Sequence, residues 1–139
     1  MDNHVIQTIT APRPWVNLTY QEAFDTMLAH VRQQGRPAVG EQNICRYRQG
    51  ELKCAVGALI PDDRYQPGFD TAEWSLPDIT RHLGGSTEFY QFLEFCQQHI
   101  HGIPARNAYL DDSDCFLSDV EEGAKIAARR FNLIYKEPA

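Results

Sequence analysis

Apolar residues recur three or four positions apart in separate segments of the chain, which is the spacing of amphipathic helices. The first segment follows Thr19 and Glu22, whose side chains can cap the start of a helix, and it stops before Gly35. Its apolar stripe consists of Tyr20, Ala23, Phe24, Met27, Leu28 and Val31. We therefore predict a first helix between Thr19 and Gly35.

A second long helix is predicted in the middle of the chain, after a short one around 77–83 that begins with a proline. Ser86 or Thr87 caps its start, and Gly102 and Pro104 close it. The apolar stripe of this helix is Phe89, Phe92, Leu93, Cys96 and Ile100. Residues 103–114 are then expected to form a loop.

The last helix is predicted to start at a second capping box, made by Ser118 and Glu121. Acidic residues lie near its start and basic ones near its end, which complements the helix dipole. Its inward side is predicted to be Leu117, Val120, Ala124, Ala127, Ala128 and Phe131.

Residues 45–54 alternate between two sets of side chains, which is typical of a β-hairpin with one buried face. A two-residue turn at Gln49-Gly50 pairs Cys45 with Cys54. One face is then Cys45, Tyr47, Leu52 and Cys54, and the other is Arg46, Arg48, Glu51 and Lys53. We therefore expect the hairpin to bury its sulfur atoms and to expose its cations.

Together these elements predict an α+β fold, with three main helices packed on a small antiparallel hairpin or sheet. Residues 1–18, which contain two prolines close together, are interpreted as an extended N-terminal arm. Residues 19–139 are interpreted as one domain, because a chain of this length needs only one hydrophobic core.

The charge of the chain limits its partners. Its formal net charge is −6, which disfavours direct nucleic-acid binding, because that depends on cationic side chains at the phosphates. No stretch approaches the roughly 20 apolar residues of a membrane span, and the N-terminus lacks the pattern of a signal peptide. We therefore expect a cytoplasmic protein with no membrane partner.

The four cysteines favour reduced thiols in a core, because reduced cysteine is among the most buried residue types. In the predicted register Cys45 and Cys54 lie close enough for a disulfide or redox pair, and half a zinc site is a further alternative. Zinc sites usually space their cysteines two to four residues apart, whereas these two are nine apart. Cys54 or Cys45, together with a histidine, is also a candidate nucleophile, although no recognised cysteine-hydrolase signature surrounds Cys54. We expect no metal and no cofactor.

Two acidic segments are candidate binding sites. Residues 111–122 partly resemble a calcium-binding loop, but Phe116 replaces the glycine that such a loop needs at its sixth position. These acids can instead cap the last helix or meet a basic protein surface. In the second segment, PDDRY at 61–65, turn formation competes with ligand or cation binding.

The sequence thus yields three groups of candidate partner-binding residues, from the hairpin face, the PDDRY loop and the acidic loop. They are Arg46, Arg48, Lys53, Asp62, Asp63, Arg64, Asp111, Asp112 and Asp114. A solvated strand face is the alternative for the three hairpin cations, which can otherwise meet phosphate or an acidic partner.

Residues 45–65 read CRYRQGELKCAVGALIPDDRY. This segment resembles a pattern of small proteins from phages, prophages and other mobile elements. The pattern has a Cys, a nearby Tyr-Arg, a Gly, then Lys-Cys-Ala-x-Gly-x-Leu-Ile-Pro-Asp and a Tyr. The resemblance brings with it no catalytic residues.

What the resemblance implies is a biological context. Small acidic proteins of mobile elements often bind a host protein and block it, as anti-CRISPR proteins do. The resemblance therefore implies a non-enzymatic protein of a phage or other mobile element that inhibits a host defence complex, such as CRISPR–Cas, in the host cytoplasm. The alternative is a small hydrolase that depends on a cysteine or on a metal ion.

Overall fold

The computed structural model describes residues 15–71, 73–111 and 115–138. Most of the predicted N-terminal arm, together with Asp112 and Asp114, lies outside these residues. The helices are α1 Tyr20–Gln34, α2 Leu76–His82, α3 Thr87–Cys96, α4 Ile103–Asp111 and α5 Phe116–Phe131. Two short strands, β1 Arg48–Gln49 and β2 Leu52–Lys53, pair antiparallel. The predicted α+β fold is confirmed.

Helix α1 forms as its sequence predicts. The Thr19 hydroxyl accepts a hydrogen bond from the Glu22 backbone N–H, and the Glu22 carboxylate accepts one from the Thr19 N–H, both over 3.0 Å. Gly35 ends the helix in the left-handed conformation, with a φ of 75°. The residues that α1 buries are Ala23, Phe24, Met27, Leu28 and Val31.

Aromatic rings join α1, α3 and α5 in the core. The ring of Tyr20 stacks on that of Phe92, with centroids 4.3 Å apart, and Phe131 meets Phe92 edge-on. Trp15 is also buried, and its indole N–H donates a hydrogen bond to the carbonyl of Leu59 over 3.0 Å. The core therefore includes a residue from the segment that was interpreted as an arm.

The predicted loop at 103–114 is wrong for residues 103–111, which are helical. Helix α3 continues through a π-helical turn, Gln97–Gly102, directly into α4. Pro104 explains the turn, because proline has no N–H and its ring clashes with the carbonyl four residues before it. In the wider turn Ile103 donates to the carbonyl of Gln98, five residues back. The proline thus widens the helix locally without ending it.

The capping box predicted at Ser118 is also wrong. Helix α5 begins at Phe116, after Cys115, whose side chain makes no capping hydrogen bond. Phe116 is 6% exposed and Leu117 is 42% exposed, so the inward side begins one residue earlier than predicted. Gly123 of α5 faces the backbone carbonyl of His99 in the π-helical turn so closely that no Cβ would fit between them.

Candidate functional site

The hairpin turns one residue later than predicted. Arg48 pairs with Lys53, and Gln49 pairs with Leu52, so Gly50 and Glu51 form the turn. Gly50 has a φ of 62°, and glycine is the residue that accepts a positive φ at the first central position of a two-residue turn. The predicted register, with Cys45 opposite Cys54, is therefore wrong, and Cys45 instead forms an isolated bridge with Val39.

The cations nevertheless remain on one face. Lys53 lies opposite Arg48 and not opposite Arg46, a shift of two positions. A shift of one position moves side chains to the other face of a strand, and a shift of two restores them. The face on which a strand residue lies thus depends on whether the register shift is odd or even. It does not depend on which residue is its cross-strand partner.

These cations are not a freely exposed face, which corrects the sequence-based prediction. Arg48 is 18% exposed and Lys53 is 25% exposed, and both contact the Asp62 carboxylate, at 2.9 and 3.5 Å. Arg48 also donates to the carbonyl of Ile60 over 3.0 Å. The PDDRY loop therefore lies against the hairpin, and Lys53 and Arg48 lower the pKa of Asp62.

Asp70 joins the hairpin to the following loop. Its carboxylate accepts hydrogen bonds from the backbone N–H groups of Tyr47 and Arg48, at 2.7 and 3.2 Å. It also accepts one from the hydroxyl of Tyr65 over 2.6 Å. Burial, and then this bond to Asp70, raise the pKa of Tyr65 to about 12. Asp70 thereby holds strand β1 and the side chain of Tyr65 in a fixed position relative to each other.

Arg46 makes no ion pair with any of the described residues. Its Nη1 donates to the backbone carbonyl of Asp70 over 3.3 Å, and within the described part of the chain it pairs with no carboxylate. Its Nε is enclosed and has no acceptor. Arg46 is thus a half-buried cation whose charge no neighbouring carboxylate neutralises.

Aromatic rings connect the cations, through the buried Phe69, to the half-buried Trp74. The guanidinium of Arg48 lies 4.7 Å from the ring centroid of Tyr65. Tyr65 meets Phe69 edge-on at 5.9 Å, and Phe69 meets Trp74 at 4.9 Å. Phe69 is buried, whereas Tyr65 and Trp74 are half-buried and so remain partly open to solvent. We call this set the hairpin–loop surface; its members are Arg46, Arg48, Lys53, Asp62, Tyr65 and Trp74.

The remaining predicted site residues are placed differently. Asp63 and Arg64 are exposed in the same loop as Asp62 and form no ion pair among the described residues. Asp111 ends α4, while Asp112 and Asp114 lie outside the described residues. The structure therefore brings the hairpin and the PDDRY loop together, and it leaves the acidic loop as a prediction.

The sulfur atoms divide into two classes. Cys54 and Cys96 are buried, and burial raises the pKa of each thiol to about 12. Cys45 and Cys115 are exposed, so the prediction that the hairpin hides both of its sulfurs is wrong for Cys45. The Cys54 sulfur accepts a hydrogen bond from the Gly57 N–H over 3.3 Å. A thiol with this pKa carries very little thiolate at neutral pH, and the thiolate is the nucleophilic form.

Sequence reasoning missed two members of this arrangement, Asp70 and Trp74. Asp70 lies more than twenty residues from the backbone groups that it binds, so no local pattern reveals the contact. The segment Pro67–Asp70 folds as a short 3-10 helix that places Phe69 in the core and Asp70 at the hairpin. The single available signal was the aromatic content of residues 65–74.

Residues 15–71, 73–111 and 115–138 contain no cluster of histidine, cysteine or acidic side chains suited to hold a metal ion. Within the same part of the chain, each helix is too short or too polar to cross a membrane. Comparison of the chain with models of protein families, with curated proteins and with solved structures found no match.

Proposed function

We propose that this chain is a non-enzymatic binding protein of a phage or other mobile element, and that it inhibits a host defence complex such as CRISPR–Cas by protein–protein contact in the host cytoplasm. The observation that carries the proposal is the hairpin–loop surface. It combines arginine, tyrosine and tryptophan, and these residue types dominate the binding energy of protein interfaces.

The construction of this surface supports the proposal. Asp70 and the buried Phe69 hold the tyrosine and the arginines in place, so little side-chain entropy is lost on binding. Exposed charges at Asp63, Arg64 and Glu73 lie beside it in the chain, as the polar rim of an interface does. The mobile-element context comes from the resemblance of residues 45–65.

The state of the buried thiols also favours binding over thiol catalysis. Cys54, one of the two candidate nucleophiles, is 1% exposed, and its pKa is raised to about 12. Cys45, the other candidate, is exposed, but desolvation raises the pKa of its thiol as well. The Cys54 sulfur instead accepts a hydrogen bond within the turn that follows it. This is the environment of a structural cysteine, since catalytic thiolates need a lowered pKa and access for the substrate.

The experiment expresses the chain in a panel of bacterial strains, each of which carries one defence system, including a CRISPR–Cas system directed at the test phage. We expect the phage to form more plaques on at least one strain that expresses the wild-type chain. The Arg46→Glu variant should lose this effect, and Arg129→Glu, on the exposed side of α5, should retain it. No gain in plaques on any strain would contradict the proposal.

A further inference from the structure

The guanidinium of Arg46 is incompletely satisfied by the protein. An arginine side chain has five N–H groups, and among the described residues Arg46 has one acceptor, the carbonyl of Asp70, 3.3 Å from Nη1. Nε is enclosed without an acceptor. Among the described residues Nη2 has no acceptor either, and it is not fully enclosed, so this end of the guanidinium remains accessible to a ligand.

Gly40 makes this position possible. A Cβ built at Gly40 would lie 2.6 Å from Nε and 3.2 Å from Cζ of Arg46. The guanidinium therefore lies directly on the glycine backbone, with its enclosed Nε nearest to Gly40. This packing limits the motion of the side chain and presents one fixed edge.

The three cations of the hairpin differ in their ionic partners. Arg48 and Lys53 both contact the Asp62 carboxylate, and Asp70 accepts hydrogen bonds from the backbone of Tyr47 and Arg48. Arg46 is the cation of this set that has no ion pair in the described part of the chain.

We propose that the Nη edge of Arg46 binds one carboxylate, from an Asp or Glu side chain of the partner protein. This inference rests on the proposed function, since it names the chemistry of the partner at the hairpin–loop surface. The planar fork of a guanidinium matches the two oxygens of a carboxylate, and such bidentate hydrogen bonds are directional as well as strong.

The surroundings favour a carboxylate over a phosphate. One guanidinium without an ion pair matches a monoanion, whereas a phosphate ester carries up to two negative charges. Asp62, Asp63 and Glu73 are exposed along the same segment and repel a more highly charged group. The net charge of −6 likewise repels the phosphates of a nucleic-acid backbone.

The test uses the wild-type chain and two simple probes, sodium acetate and inorganic phosphate, at a constant ionic strength set with sodium chloride. Nuclear magnetic resonance follows the side-chain N–H signals of Arg46 and the backbone amide of Gly40. We expect acetate to shift both signals in a saturable way and to bind more tightly than phosphate. In Arg46→Gln the Gly40 shift should need about tenfold more acetate or should vanish, and Arg64→Gln should behave as wild type.

Three results would overturn the inference: no saturable shift with acetate, tighter binding of phosphate, or an unchanged Gly40 response in Arg46→Gln. The wild-type signals of Arg46 decide the question even if the variant folds poorly. Because the probes replace the partner, a failure here is independent of the plaque experiment. A loss of acetate binding together with a retained gain in plaques would leave the proposed function standing with a different contact.

Discussion

The imidazole Nε2 of His101 accepts a hydrogen bond from the backbone N–H of Ala38 over 2.9 Å, in the fully buried interior. An accepting Nε2 requires the neutral ring with its proton on Nδ1. Burial, and secondarily the charge of His30, lower the pKa of His101 to about 4. The π-helical turn that carries His101 is thereby joined to the segment that leads into the hairpin.

This contact predicts that stability falls with acidification. In the unfolded chain His101 has the ordinary histidine pKa of 6.5, whereas in the folded chain its pKa is lowered to about 4. The stabilisation that the neutral, buried ring provides is therefore complete above about pH 6.5, and it is lost as the pH falls toward about 4. We expect the free energy of unfolding in urea to be about 2 kcal/mol smaller at about pH 5 than at about pH 7.

The variant His101→Gln isolates this effect, because it removes the titrating ring. The difference between the two pH values should shrink in His101→Gln, even if the variant is less stable at both. His99, whose pKa burial also lowers, contributes in the same direction, so His99→Gln serves as the matched control and should keep most of the difference. An undiminished pH dependence in His101→Gln would contradict the assignment.

The thiols should titrate in two classes. In the native protein Cys45 and Cys115 are expected to react with a chromogenic disulfide reagent, while Cys54 and Cys96 react after denaturation. The reason is that burial blocks access and raises the pKa of both inner thiols. A double variant with serine at Cys45 and Cys115 should show no fast reaction, and a fast Cys54 in that variant would instead support thiol catalysis.

Replacing either of two glycines in neighbouring elements by alanine should affect the stability of the protein differently. At Gly123 a Cβ would overlap the backbone carbonyl of His99, so Gly123→Ala must separate α5 from the π-helical turn. We expect a loss of at least about 2 kcal/mol in chemical unfolding. At Gly102 the nearest atom to such a Cβ is 3.5 Å away, so Gly102→Ala should be neutral or stabilising. Equal effects of the two substitutions would show that the close helix contact is not formed.

Asp70 should be necessary for the shape of the hairpin–loop surface. In Asp70→Asn one carboxylate oxygen becomes an NH₂ group, which faces N–H or O–H donors and leaves at least one of them unsatisfied. We expect a loss of about 1–3 kcal/mol in the free energy of unfolding. Asp63→Asn, at an exposed aspartate of the neighbouring loop, should change stability by less than about 0.5 kcal/mol. A neutral Asp70→Asn would mean that the carboxylate does not bind the hairpin.

Local signals were sufficient where the structure depends on neighbours in the sequence. The capping box of Thr19 and Glu22, the left-handed Gly35 and the cap at Ser86 all formed as predicted. The apolar stripes of α1 and α3 also proved to be core. These features need no knowledge of the rest of the fold, because each acts within one or two helical turns.

Where tertiary contacts decide, the local rules failed. Pro104 is typical of a helix end, yet the packing of α4 against α5 keeps the chain helical. A π-helical turn accommodates the N–H group that the proline lacks. The alternation of side chains along the paired strands was predicted correctly, but the register and the burial of Cys45 were not, because alternation fixes only parity. Arg48 and Lys53 were expected in solvent, but the PDDRY loop folds over them, and no pattern within the hairpin indicates that contact.

Quantitative affinity capture from a lysate of the bacterial host tests directly whether the hairpin–loop surface binds a host protein. Immobilised wild-type chain is compared with Arg46→Glu and Arg129→Glu, after thermal unfolding has verified that all three are folded. We expect a defence protein that wild type and Arg129→Glu retain equally and that Arg46→Glu retains about tenfold less. Binding through this surface is contradicted if wild type retains no protein above background, or if Arg46→Glu retains the same protein in the same amount.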